Sequence, residues 1–287
     1  SNTIAYSYDG LTWIGLGSSI FSSEGYGVAW NGIIWVAVGA GTNTIAYSDD
    51  GQNWTGLGTS IFSTAGYGVA WNGNRWIATG SSINDSIVYS INGKDWFSPS
   101  SYQGSYTNTK SIFSTAGNGV AWNGSEPYNF NIDIQHPIVA VGSGTTNTIA
   151  HSDDGITWNV LGTSIFSSAG NGVAWNGSIW VAVGSGTTNT IAYSNDGQNW
   201  IGLGSSIFSS SGYEVAWNGT IWLAVGAGTN TIAYSYDGIN WIGLGSSIFS
   251  NEGHGMAWNG TKWVATGIGS NTIAYSYDGL TWIGLGS

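Results

Sequence analysis

The residues of this chain best suited to chemistry are carboxylates, and they recur. Asp9, Asp50, Asp154, Asp196, Asp237 and Asp278 each stand two residues after a serine and directly before a glycine, and Asn92 takes the third of these seven places. Such a carboxylate could ligate a metal ion or a glycan hydroxyl. Beside glycine in a hairpin it more often accepts hydrogen bonds from the amides of its own turn, and that structural role is the one expected of all six. His136, His151 and His254 fall in different repeats without ligand-like spacing, which argues against a catalytic zinc site. There is no cysteine, hence no thiolate nucleophile, no Cys-based metal site and no disulfide. The glutamates are Glu24, Glu126, Glu214 and Glu252, each near a loop. No nucleophile, base and orienting group come together. The expectation is a protein that is not an enzyme, with no catalytic residues, no metal and no cofactor.

A second set of residues emerges when the copies are compared with one another. At one place the chain varies as Tyr26, Tyr67, Asn118, Asn171, Tyr213 and His254, and two residues earlier as Glu24, Ala65, Ala116, Ala169, Ser211 and Glu252. All six residues of the first series can hydrogen-bond, and four carry rings. Rings, amides and the carboxylates of Glu24 and Glu252 around a shallow rim suit a neutral or basic glycan or peptide. The same positions also fit solvated loop residues, because loops vary for many reasons.

These residues must be positioned by a repeat of about 41 residues. One half reads TIAYSYDGLTWIGLG, with Trp13, Trp54, Trp96, Trp158, Trp200, Trp241 and Trp282 at its equivalent place. The other reads GVAWNGIIWVAVG, anchored by Trp30, Trp71, Trp122, Trp175, Trp217 and Trp258. A large aromatic recurring in this way is expected in the core, as a wedge between repeats. Four alternating segments per repeat, Gly27 to Asn31, Trp35 to Gly39, Thr44 to Ser48 and Trp54 to Leu57, read as strands. Asn31-Gly32 and Asp50-Gly51 suit tight hairpin turns between them. The fold class is therefore all-β, a β-propeller of four-stranded antiparallel blades. Each blade is too small to bury its own faces and must lean on its neighbours. A flat β-solenoid is the alternative.

Ser7, Asp9, Gly10, Thr12 and Trp13 form a Ser-x-Asp-Gly-x-Thr-Trp motif that resembles the Asp-box of the sialidase-type (BNR) propellers, where it makes the turn between the third and fourth strands of a blade. The resemblance recurs along nearly the whole chain, although the motif here is one residue shorter between Asp and Gly. The chain is also similar to the Trp-rich repeat propellers encoded by bacteria and large DNA viruses. Sialidase activity is not implied. That chemistry needs an arginine cluster for bidentate pairing with a carboxylate, and the chain has only Arg75.

The net charge is −11, with Arg75, Lys94, Lys110 and Lys262 the only strong cations. Nucleic acid and anionic membrane surfaces are thereby excluded as expected partners. No run approaches the roughly 18 apolar residues of a membrane span. Membrane insertion is not expected, and the chain, opening on Ser1 in mid-repeat, reads as a mature product or an excised part. Residues 1–287 are expected to form one domain of six complete blades and a half blade. Residues 1–18 are identical to 270–287, and both copies are outer hairpins. A ring of seven slots accommodates both; in a six-bladed ring they compete for one slot, leaving a spare for strand exchange with another chain. Insertions at 97–110, carrying Tyr102, Tyr106 and Lys110, and at 125–137, carrying Tyr128, Phe130, Asp133 and His136, interrupt the pattern in one region. The leading expectation is a non-enzymatic binding module for a surface glycan or protein at the channel-mouth loops, located outside a cell or on a virion. The alternative is a structural repeat of a coat, fibre or envelope that self-associates through the duplicated hairpin.

Overall fold

Segments of four to seven residues that alternate apolar and small side chains between glycines can pair only as strands, and a computed structural model of the chain shows this throughout. It describes residues 2–82, 85–99, 101–103 (backbone), 111–123 and 138–286, and every regular element among them is a β-strand. The chain divides into two compact units, Ser1–Gly162 and Thr163–Ser287.

The first unit opens with β1 (Ala5–Tyr6) and β2 (Ile14–Gly15), a two-stranded antiparallel sheet of its own. A blade follows, made of β3 (Glu24–Trp30), β4 (Trp35–Ala40), β5 (Ile45–Ser48) and β6 (Thr55–Gly56), each antiparallel to the next. The second blade comprises β7 (Ala65–Trp71), β8 (Trp76–Ser81) and β9 (Ile87–Ser90), its fourth strand reduced to a bridge between Tyr89 and Phe97. Next comes β10 (Ser101–Gln103), ahead of the third blade of β11 (Ala116–Trp122), β12 (Ile138–Ser143), β13 (Ile149–Ser152) and β14 (Thr157–Val160). The first insertion therefore contributes a strand, because β10 runs parallel to β14. Tyr106 and Lys110, like Tyr128, Phe130, Asp133 and His136 of the second insertion, lie outside the described residues.

The second unit repeats the pattern three times. Its blades are β15 (Ala169–Trp175), β16 (Trp180–Ser185), β17 (Ile191–Ser194) and β18 (Trp200–Gly202); then β19 (Ser211–Trp217), β20 (Trp222–Ala227), β21 (Ile232–Ser235) and β22 (Ile242–Gly243); then β23 (Glu252–Trp258), β24 (Trp263–Ile268), β25 (Ile273–Ser276) and β26 (Ile283–Gly284).

The core lies between blades. In the first unit Val36, Val38 and Ile45 of one blade pack on Phe62, Trp76, Ala78 and Val88 of the next. In the second, Val181, Val183 and Ile191 meet Phe208, Trp222, Ala224 and Ala233. Valines project from one side of the second strand and alanines from the other, so large and small faces interleave along the stack.

One phenylalanine per repeat locks this arrangement. Phe21, Phe62, Phe113, Phe166, Phe208 and Phe249, in the connectors ahead of each first strand, are fully buried. Each ring fills the space over a glycine of the second strand: a β-carbon on Gly80 would stand 2.7 Å from Phe62 Cγ, and one on Gly226 2.7 Å from Phe208 Cδ1. The connector backbone also ties back to the preceding outer hairpin, Thr44 Oγ1 donating to the Phe62 carbonyl at 3.0 Å and Thr190 Oγ1 to that of Phe208 at 2.9 Å.

Three expectations need correction. The first strand begins at Glu24, three residues before Gly27. The Asn31-Gly32 turn is not a two-residue loop: Trp30 pairs with Trp35, leaving four residues between them. A two-residue type I′ turn requires positive φ at both residues, and only the glycine, Gly32 at φ 96°, has it. Asn31 Oδ1 instead accepts from the amides of Ile33 and Ile34 at 2.9 and 2.8 Å. The third correction concerns the tryptophans. Those wholly buried are chiefly Trp76, Trp180, Trp222 and Trp263, which open the second strands. Of the two recurring series read as wedges, only Trp158 is fully buried. In five blades the Trp closing the first strand covers the Trp opening the second, as in Trp71–Trp76 at 5.3 Å and Trp217–Trp222 at 5.2 Å between ring centroids, and in the third blade Ile138 takes the second place.

The glycine under each phenylalanine is testable. Gly80→Ala should force the Phe62 ring out of place and destabilise the protein by about 2 kcal/mol or more, within the range of core overpacking. Gly58→Ala, with open space around the added carbon but a positive φ, should cost less, about 1 kcal/mol. Urea denaturation of both variants checks the order.

Candidate functional site

The variable positions are brought together by a backbone irregularity. In β3 the pairing with β4 shifts register between Gly25 and Gly27, so Tyr26 is the extra residue of a β-bulge. The same shift makes Tyr67, Asn118, Asn171, Tyr213 and His254 the bulged residues of their first strands. The site residues thus lie within strands rather than in loops before them. A bulge takes a side chain out of the alternation that would otherwise dictate its face, and here it does so for one polar or aromatic group per blade.

Consecutive first strands approach closely along this row. A β-carbon on Gly68 would stand 2.9 Å from Gly119 Cα, and one on Gly172 would stand 3.0 Å from Glu214 Cα, so only glycine fits. The bulged side chains are correspondingly near one another. In the first unit the rings of Tyr26 and Tyr67 lie 4.9 Å apart at 57°, and the Tyr26 hydroxyl donates to the Glu24 carboxylate. In the second, Tyr213 stacks on His254 at 5.1 Å and 7°, and His254 Nε2 lies 3.0 Å from a Glu252 carboxylate oxygen. Asn171 Nδ2 donates to the Gly212 carbonyl at 2.8 Å, across to the next blade. Asn118 occupies the bulge of β11, half-buried. Each unit therefore carries an aromatic pair with one glutamate beside it, assembled from Glu24, Tyr26 and Tyr67 and from Tyr213, Glu252 and His254. Tyr26 and His254 remain open to solvent. Burial raises the Tyr26, Tyr67 and Tyr213 hydroxyls above their ordinary range, and the neighbouring glutamate adds to the effect. These phenols stay protonated at neutral pH and can donate hydrogen bonds.

One residue in the row breaks the repeat. Glu214 stands where the other copies have Gly27, Gly68, Gly119, Gly172 and Gly255. Burial pushes its carboxyl up to about 7, against one opposing hydrogen bond from the Val215 amide.

The recurrent aspartates serve their own turns. Asp196 Oδ1 accepts from the amides of Gln198 and Asn199 at 2.9 and 2.7 Å and from Ser194 Oγ at 3.0 Å. Burial works against ionisation of Asp196, but those hydrogen bonds outweigh it and bring the carboxyl down to about 2. Asp9, Asp50, Asp237 and Asp278 are likewise held below the usual carboxylate range, chiefly by backbone amides. Asn92 makes the same two amide contacts, to Lys94 and Asp95 at 2.9 Å each. The turn is closed by the tryptophan, whose Nε1 donates to the glycine carbonyl, as from Trp200 to Gly197 at 2.9 Å. No group of three or more His, Asp or Glu side chains among the described residues is placed to hold a metal ion.

A feature missed in the sequence lies at the rim of the third strands. Tyr6–Tyr8, Tyr234–Tyr236 and Tyr275–Tyr277 form edge-to-face pairs 5.6 to 5.8 Å apart, and Tyr8, Tyr236 and Tyr277 are among the most exposed large side chains. The Tyr-Ser-Tyr spelling ahead of Asp-Gly at these three places was the available signal.

Two predictions follow from the electrostatics. Asp196→Asn should keep both amide contacts, as Asn92 does naturally, but lose the hydrogen bond from Asn199 Nδ2 to Oδ2, so near neutral pH it should cost less than Asp196→Ala, which should cost about 1 kcal/mol or more through two unpaired amides. Wild type should also lose the Asp196 contribution as pH falls from about 4 towards 2, because its folded value is depressed, and Asp196→Asn should not. For Glu214 the sign reverses: the raised folded value means stability falls as pH rises from 4.5 through 7. Glu214→Gln should remove that decline and stabilise the protein at pH 8 by on the order of 2 kcal/mol. Denaturation midpoints across pH report both.

No protein-family model matches the sequence, and no curated protein matches it. Among solved structures, the chain resembles a GH74 enzyme of Niastella koreensis (TM-score 0.61, 16% identity), covering 92% of this chain and 37% of that one. It also resembles a chain of a nidogen/laminin complex (TM-score 0.56, 13% identity, 86% and 91% covered) and the computationally designed protein Ika8 (TM-score 0.55, 16% identity, 88% and 70% covered). At such identities the likeness concerns architecture alone, and with the repeated antiparallel blades it makes the fold of this chain that of a β-propeller.

Proposed function

We propose that the chain is a non-enzymatic binding module whose ligand, a neutral or basic glycan or a peptide, is held by the bulged residues within a unit. The observation that carries this reading is the pairing, in each unit, of one exposed and one half-buried ring beside a carboxylate: Tyr26 and Tyr67 beside Glu24, and His254 and Tyr213 beside Glu252. Ring faces supply apolar contact for sugar or aliphatic groups, and the adjoining carboxylate accepts hydrogen bonds from hydroxyls or pairs with an ammonium. A scaffold whose turns, connectors and core residues are copied with little change, but whose bulged residues differ, concentrates its chemical individuality there. The neighbours in architecture include both an enzyme and a member of a protein complex, so fold does not choose between roles and the choice rests on the site. The recurrent aspartates resemble those of the sialidase-type Asp-box repeats, and in this reading they hold turns and take no part in recognition.

Screening against arrayed glycans and peptides, followed by calorimetry on the strongest binder, tests the proposal. Tyr26→Ala, Tyr67→Ala and Tyr213→Ala should each weaken binding about three- to tenfold, the worth of one aromatic contact, with little change in thermal midpoint. Tyr8→Ala, in the turn between β1 and β2 and outside the bulged residues, should leave affinity unchanged. Retention of full affinity in the triple variant would exclude this site.

A further inference from the structure

In the first unit one blade carries a fifth strand. β10 lies along the outer edge of β14 and runs parallel to it, in the register Ser101↔Thr157, Tyr102↔Trp158 and Gln103↔Asn159. The fourth strand is prepared for this addition by its own pairing. In an antiparallel ladder alternate residues turn N–H and C=O towards the partner, and the residues between turn theirs away. The Leu161 amide donates to the Ile149 carbonyl at 3.0 Å, and Asn159 stands opposite His151 in the same register. Asn159 and Leu161 therefore face β13, and the N–H and C=O of Trp158 point outwards at the residue opposite Tyr102. The blade with the added strand is also the one whose recurrent tryptophan is wholly buried. Trp158 is 0% exposed, whereas Trp54, Trp200 and Trp241 at the equivalent place are half-buried.

In the second unit β18 presents the same edge without the strand. The Leu203 amide donates to the Ile191 carbonyl at 2.8 Å and Ile201 stands opposite Tyr193, so Trp200 and Gly202 turn their N–H and C=O outwards. β18 has three residues, against two in β6 and β22, and so comes nearer to the four of β14. Among the described residues its register is with β17 alone. Ile201, where β14 has Asn159, is 53% exposed.

We infer that the outer edge of β18 takes an extended segment of a partner protein as an added parallel strand, as β14 takes β10. The register defines the chemistry of that segment. Its residue opposite Trp200 stands where Tyr102 stands opposite Trp158, and its next residue meets Ile201 in place of Asn159. A ring followed by an aliphatic side chain, between small polar residues like those flanking Tyr102, fits this edge. Main-chain hydrogen bonds to Trp200 supply the affinity and the two side chains supply the selectivity. With a net charge of −11 on this chain, the segment is uncharged or basic, and the same charge disfavours a second copy as the occupant. The inference does not rest on the ligand reading, because the bulged residues lie in first strands, at the other edge of the four-stranded blade.

A fluorescein-labelled peptide spelling residues 98–106 with Gln103→Val, titrated against the whole chain and followed by anisotropy, tests the inference. Saturable binding is expected. In the parallel register the valine N–H donates to the Trp200 carbonyl, so N-methylation at the valine should weaken binding about tenfold, whereas N-methylation at Tyr102 of the peptide should not. Ile201→Asp should weaken binding about tenfold at an unchanged thermal midpoint, because a charge on an exposed edge opposes strand addition. Ile242→Asp, on β22, and Tyr213→Ala should leave it unchanged. Absence of binding overturns the inference, as does equal affinity of the valine-methylated peptide or a loss in Ile242→Asp that Ile201→Asp does not share. Oligomers of the chain alone that Ile201→Asp dissolves would assign the edge to a second copy and overturn it as well.

Discussion

The interaction on which the rest depends is the seating of one phenylalanine ring on one glycine in every repeat. Phe62 over Gly80 and Phe208 over Gly226 leave no room for a β-carbon, and each ring is removed from water completely. The contact fixes a connector that has no ladder of its own. That connector carries the carbonyl which accepts from Thr44 or Thr190, and so holds the preceding outer hairpin in place. An asparagine one residue before the threonine adds a second tie, as Asn230 Nδ2 does to the Ile207 carbonyl at 2.7 Å. Each repeat is thus locked internally by its ring and its asparagine tie and externally by the threonine tie, which suits a body whose blades cannot bury their faces alone. Charge contributes little to this cohesion. With four Lys and Arg against fifteen Asp and Glu, most carboxylates have no cation available, and those at the recurrent turns are satisfied by amides instead.

The bulge converts a uniform scaffold into one with individual positions. In a regular strand the residue at Tyr26 would fall on one of the two packed faces, where a ring or an amide would have to match the adjoining blade. The register shift releases it from that constraint, and the flanking glycines let consecutive first strands run close enough for neighbouring bulged side chains to meet. Variation there carries little penalty for the core, which explains how tyrosine, asparagine and histidine can alternate in otherwise near-identical surroundings. Glu214 is the exception because it sits one residue beyond the bulge, at a place kept small elsewhere, and its raised carboxyl is the consequence.

Much of this was legible in the sequence and some was not, for identifiable reasons. Period-two alternation and glycine punctuation located all four strands of the repeat. The bulge hid the beginning of the first strand: an extra residue at Tyr26 breaks the alternation, so Glu24 to Tyr26 read as loop although Glu24 and Gly25 pair with β4. The candidate residues were found by their variability, yet their pairing as Tyr26–Tyr67 and Tyr213–His254 depends on how closely consecutive strands approach, which only the packing shows. Phe21 and its five counterparts went unnoticed because a lone aromatic among serines looks like connector, even though it recurs in every copy. The buried tryptophans were misassigned for a related reason. Periodicity makes the Trp at the end of the first strand and the Trp at the start of the second equivalent, and only the stacking of Trp217 over Trp222 distinguishes cover from core.

The duplicated hairpin separates what local sequence decides from what surroundings decide. Residues 1–18 and 270–287 have the same internal pairing and the same aspartate contacts, Asp9 accepting from Leu11 and Thr12 and Asp278 from Leu280 and Thr281 at 2.7 to 2.8 Å. Hairpin geometry is therefore written into the stretch itself, through a turn that saturates its own carboxylate. Burial is not. Tyr8 is 82% exposed and Tyr277 61%, and Trp13 is exposed where Trp282 is half-buried against Val225 and its neighbours. A hairpin of this kind folds by its local hydrogen bonds and gains its burial from whichever strand lies beside it. Repetition gives this fold its regular core, and the surroundings of each copy decide how much of that copy is covered.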